Sequence, residues 1–132
     1  MNGYAMLVVR LCLSLVFLYS GLTKLLDITA GTAEVAALGL PAPQIMLALT
    51  VVAQLGGGLS VLMGWWSRIG AFVLLGFTVA ATLLGHAFWQ LSGAEFQHQL
   101  TTTLEHLAIV GGFLMLMLSG PGPISIDETL RK

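Results

Sequence analysis

Charge is what this chain has least of. Lysine and arginine number five and aspartate and glutamate six, so only 8% of the 132 residues carry a charge. An ordinary soluble domain gives about a quarter of its residues to charge, because its surface has to face water. Here 57% of residues are hydrophobic and the mean hydropathy is +0.94. Lipid, not water, is the solvent that such a composition suits. The net charge of -1 and the lack of any basic run argue against a nucleic-acid partner.

Cysteine is nearly missing as well. Cys12 stands alone, so there is no disulfide framework and no CxxC motif. Within an apolar stretch it reads as a small residue of a packed helix. No nucleotide loop, nucleophile–base constellation or strong metal motif occurs. Independent catalysis is therefore not expected, and no metal site is assigned. The N-terminal apolar stretch has neither a basic n-region nor a small-residue cleavage site, so it reads as a retained helix.

What is present is four apolar stretches near the ~20 residues needed to cross a bilayer. They cover about residues 4–26, 43–63, 69–91 and 101–118. The expected fold is an all-α integral membrane protein, a four-transmembrane-helix bundle formed as one domain over residues 1–132. Between the first two spans, Thr32–Leu38 reads as a short helix stopped by Gly39 and Pro41. Four crossings place both termini and the 64–68 link on one side, with Arg68, Arg131 and Lys132, and Arg10 nearest. The other side has Lys24 beside Asp27, Glu34 and Glu95. The positive-inside rule then makes both termini cytoplasmic. Tyr4, Trp65, Trp66 and Trp89 fall near the interfaces, where amphipathic rings are favoured.

Helical spacing sorts the few polar residues onto faces. Arg10, Ser14, Phe17, Gly21 and Lys24 form one stripe of the first span. Thr50, Gln54 and Gly57 or Gly58 do so in the second, Thr78, Thr82, His86 and Trp89 in the third. The fourth offers Thr102, then Glu105 or His106, then Ile109. Such faces should meet inside a bundle. Depth estimated from the rise of a helix gathers Lys24, His86, Glu105 and His106 near the end away from the termini, with Gln54 below them. Only one of the adjacent Glu105 and His106 can point straight inward. Arg10 lies apart, and Asp127 in the tail is expected to fold back and pair with it. The glycines at 56–58, 64, 111 and 112 read as close-packing positions.

The polar cluster supports several readings. Lys24 could pair with Glu105 while the histidines bond across helices, which would fix the register of the bundle. Alternatively the cluster holds a quinone: Lys24, His86 and His106 would face its carbonyl oxygens, and Phe88 and Trp89 its ring and tail. Histidine can also exchange a proton near neutral pH. A haem on His86 and His106 is a lesser reading, since no HxxxH or HExxH motif accompanies them. Transport would call for broken helices or inverted repeats, and no convincing repeat is seen.

Several pieces then stand in a telling order. Arg10 is followed by "SGLTKL" (20–25), "LGLPAP" (38–43), "GGGLSVLMGWWSRIGA" (56–71), "HAFW" (86–89), "HLAIVGGFLML" (106–116) and "GPGPISID" (120–127). Over nearly its whole length the chain resembles the DoxX family. The resemblance implies a small four-helix protein of the bacterial inner membrane. Some relatives are subunits of thiosulfate:quinone oxidoreductase, and others are linked to membrane redox complexes or thiol-stress responses. Arg10, Lys24, His86 and Asp127 match recurrent polar positions of the family. Gln54 departs from it, standing where a glutamate is common, and His106 stands where an asparagine is often found. A glutamine does not titrate, so the resemblance leaves Glu105 as the acidic group that could replace it. The implied role is a membrane subunit that supports redox chemistry, binding a quinone or a partner oxidoreductase near the periplasmic side. The alternative is a structural or assembly subunit. Lipid surrounds either, and a homodimer or larger membrane complex would be the partner.

Overall fold

The computed structural model describes residues 2–132. Helix α1 (Gly3–Leu26) starts where the Asn2 side chain accepts the Tyr4 N–H at 3.1 Å. A single residue, Asp27, separates it from α2 (Ile28–Ala37), and the Asp27 carboxylate caps the new helix by accepting the Ala30 N–H at 3.0 Å. Helix α2 thus begins ahead of the expected Thr32. It ends before Gly39, whose φ of +73° turns the chain toward α3 (Pro43–Met63). Then follow α4 (Ser67–Gly85), a 3-10 turn over Phe88–Gln90, α5 (Gly93–Ser119) and a short α6 (Ile126–Leu130). Four helices, α1, α3, α4 and α5, are long and apolar enough to cross a membrane.

Two boundaries differ from expectation. The third span ends as a helix at Gly85, so His86 caps it from outside, its N–H bonded to the Thr82 carbonyl at 2.9 Å. The fourth helix begins at Gly93 instead of near Thr101. Polarity ended the apolar pattern there, but not the helix. The hydroxyls of Thr101, Thr102 and Thr103 donate to carbonyls one turn back, so these polar side chains find partners within their own helix.

Around the bundle α1 packs on α3, α3 on α4 and α4 on α5. Helix α5 closes the ring onto α1 through Phe113 and Phe17, with ring centres 5.5 Å apart. Contact is closest where α3 meets α4. A Cβ on Gly57 would stand 2.8 Å from Leu74 and 3.4 Å from the Gly70 carbonyl oxygen. Small residues of this kind let membrane helices touch backbone to backbone. The buried core of Met6, Phe17, Val61, Ala71, Leu74, Phe113 and Leu116 fills mainly the half that bears the termini. Cys12, expected inside, is exposed on the outer face.

The tail seals that half. Arg10, 2% exposed, donates to the carbonyls of Pro121 and Ile124, both at 2.7 Å, and of Leu62 at 3.1 Å. Asp127 does not form the expected ion pair with it. Its carboxylate instead accepts the N–H groups of Trp66 and Ser67 and the Ser67 hydroxyl at the start of α4, at 2.9–3.2 Å. The guanidinium satisfies the last turn of α3 at Leu62 and two carbonyls of the loop before α6, and the carboxylate satisfies N–H groups that the start of α4 leaves unpaired. Both residues fasten the same tail, one from each side.

Candidate functional site

The other half of the bundle is hollow. A cavity of about 640 Å³ lies there, walled by Phe17, Ser20 and Lys24 of α1, Gln54 of α3, Thr78 of α4, His86, and His106 and Ile109 of α5. Exposed side chains of α3 and α4, among them Leu49, Val73 and Leu84, also line it. It therefore reaches the lipid-facing surface between these two helices. They touch at Gly57 and Gly70, and the cavity lies beyond that contact.

Four of the six residues singled out for ligand binding, Lys24, Gln54, His86 and His106, come together on this wall. Helical periodicity carries Lys24 and Gln54 there on the faces that α1 and α3 turn inward. His86 caps the end of α4 and His106 stands in the middle of α5, and their rings meet edge to face with centres 5.0 Å apart.

The other two lie elsewhere. Glu105 is exposed on α5, and its neighbour His106 is the one that points inward. Lys24 consequently finds a different carboxylate, that of Glu34 on α2, at 3.3 Å. Trp89 is 57% exposed, packed against Phe88 at 5.3 Å and outside the cavity. It suits an interfacial anchor.

Hydrogen bonds tie the wall together across helices. Ser20 Oγ accepts from Lys24 Nζ at 3.0 Å and from Gln54 Nε2 at 3.2 Å, joining α1 to α3. Gln54 is buried, and its Oε1 has no partner. Thr82 Oγ1 lies 2.8 Å from His106 Nδ1, joining α4 to α5, and His86 Nδ1 bonds to Gln99 Oε1. Sequence reasoning did not single out Ser20, Glu34 or Gln99 for the site. Ser20 had a usable signal, since it stands one turn before Lys24 on the same face. Nothing local marked Glu34 or Gln99.

Four membrane-crossing helices, solid at one end and hollow at the other, define a small multi-pass membrane protein with an internal cavity. The DoxX family profile matches residues 5–87, and the chain belongs to that family. Its relatives include two inner membrane proteins of Escherichia coli. It is 34% identical to YqjF over 132 residues, 100% of this chain and 96% of the relative. It is 26% identical to YphA over 123 residues, 93% of this chain and 88% of the relative. No solved structure matches. The protein is a multi-pass protein of the bacterial inner membrane.

Proposed function

We propose that this DoxX-family protein is a membrane subunit that takes a quinone-type carrier from the bilayer into its cavity, in support of a partner oxidoreductase. The observation that carries this reading is one cavity joining four polar side chains, Lys24, Gln54, His86 and His106, to an opening between α3 and α4. Its volume falls in the ~300–1,000 Å³ range of small-molecule sites. Polar groups at one end of an apolar cavity suit a polar ring, and an opening in the lipid-facing surface suits an isoprenoid tail. When bound, such a carrier supplies two-electron, two-proton chemistry. The chain's residues hold its head, exclude water and offer hydrogen bonds.

The charge bias at 68, 131 and 132 supports an orientation with both termini in the cytoplasm. The cavity then opens toward the periplasmic leaflet, where a partner enzyme or a second copy would meet it. A second reading, that the polar residues serve only as helix glue, is favoured by the Ser20 and Thr82 bonds, which do link helices.

One preparation separates the two. Protein purified gently from its native membrane is extracted with solvent and assayed for quinone by mass spectrometry. A carrier site predicts stoichiometric quinone, lost in Lys24→Met and His86→Ala while both variants still accumulate. Quinone-free wild type, with variants that fail to accumulate, identifies helix glue instead.

A further inference from the structure

We infer that a groove at the end of the bundle bearing the termini is a phospholipid site, in which Arg68 binds the lipid phosphate and the exposed apolar sides of α4 and α5 carry its acyl chains. The inference is independent of the carrier reading, which concerns the opposite end.

The groove has a volume of about 620 Å³ and lies where α4 begins, α5 ends and the tail runs toward α6. Four charged side chains line it: Arg68, Asp127, Glu128 and Arg131. Three of them are engaged. The Asp127 carboxylate accepts the N–H groups of Trp66 and Ser67 and the Ser67 hydroxyl, and Glu128 pairs with Arg131 at 3.2 Å. Arg68 has no ion-pair partner among the described residues. Its guanidinium lies beside Gly120, where a Cβ would stand 3.4 Å from Nη2. The missing side chain leaves room for the planar group along the groove wall. A guanidinium presents a fork of N–H donors that matches two oxygens of a phosphate, and no carboxylate of the chain takes it up.

Position decides which phosphate. Arg68 is the second residue of α4, and α4 and α5 both cross the membrane. Trp65 and Trp66 just before it are exposed, as suits rings at headgroup level. Ile69 lines the groove and is exposed too, and Phe72 on α4 and Leu118 at the end of α5 extend this exposed apolar surface. The cation therefore stands at headgroup depth above a lipid-facing surface, in the order in which a phospholipid sets its phosphate above its chains. Basic pockets between membrane helices recognise lipid headgroups by the same chemistry. A free phosphate would use the arginine and leave the apolar wall idle.

The test uses the full chain, purified in detergent and stripped of lipid, with phosphatidylglycerol, diacylglycerol and inorganic phosphate as probes. Binding is read by native mass spectrometry and by the rise in melting temperature. Phosphatidylglycerol carries its only charge on the phosphate, and diacylglycerol has the same chains without it. Wild type should bind phosphatidylglycerol at least about tenfold more tightly than diacylglycerol. Arg68→Gln should lose about tenfold for phosphatidylglycerol. Its melting temperature without lipid should match wild type, since the side chain is exposed. Lys132→Gln removes the same charge at the same end but outside the groove, and should bind as wild type does.

Equal losses in the two variants would reveal a diffuse charge effect and overturn the inference, as would equal binding of phosphatidylglycerol and diacylglycerol. Inorganic phosphate that displaces the lipid and raises the melting temperature as far would overturn it in favour of a soluble anion.

Discussion

Arg10 holds the carbonyls of Pro121, Ile124 and Leu62 with one planar group. Arg10→Leu would strand three acceptors at about 1–3 kcal/mol each, so a loss of roughly 3 kcal/mol or more is expected. A large drop in melting temperature in detergent would register it. Arg10→Lys should recover only part, because an ammonium lacks the fork that reaches three oxygens. Asp127 predicts a pH effect. Burial pushes its carboxyl up, but the Trp66 and Ser67 N–H groups, the Ser67 hydroxyl and nearby Arg131 outweigh this and hold it below the usual 3.8. Its stabilising contribution is therefore complete above that ordinary value and disappears as pH falls through the lower folded one. Thermal melts across the acid range should show this loss in wild type, with a flatter profile in Asp127→Asn.

Two adjacent glycines test how the elements pack. A Cβ at Gly57 would meet fully buried Leu74 at 2.8 Å, whereas one at Gly56 meets nothing within 4 Å. Gly57→Ala should force α3 and α4 apart at a cost of about 1–3 kcal/mol. Gly56→Ala should be neutral or up to about 1 kcal/mol stabilising through helix propensity. Equal melting temperatures for the two variants would refute the close-contact argument. The inward face of α1 could be read directly from the sequence: Arg10, Ser14, Phe17 and Gly21 are its buried residues, with Met6. The ends of α4 and α5 could not. Hydropathy locates where a chain prefers lipid, while a helix stops only where its backbone does, and past the polar boundary the threonine hydroxyls of α5 bond within their own helix.

At the scale of the whole molecule, the filled half and the hollow half assign different tasks to the two ends of the bundle. The end with the termini is locked by Arg10, Asp127 and the glycine contact. The other is held by sparse bonds around a cavity. The bias of Arg68, Arg131 and Lys132 supports the proposal that the end with the termini faces the cytoplasm. Fusions at the C-terminus should be fluorescent with a cytoplasm-dependent reporter and inactive with a periplasm-dependent phosphatase. The reverse pattern would place the cavity in the cytoplasmic leaflet.

The sequence by itself determined the solvent, the number of crossings and the inward faces of the first two spans. Each is written in local composition or in the 3.6-residue period, and neither needs a neighbour to be read. Tertiary structure alone decided the partnerships. Glu105 and His106 are adjacent, so helical rotation admits only one of them to the interior, and packing against Thr82 and His86 selected His106. Lys24 pairs with Glu34 because α2 folds back beside α1. Arg10 meets carbonyls 111 and 114 residues away, a separation that no periodicity spans. The cavity has the same origin: it is the space left where helices in contact at Gly57 and Gly70 leave a gap farther along, and only their mutual placement defines it.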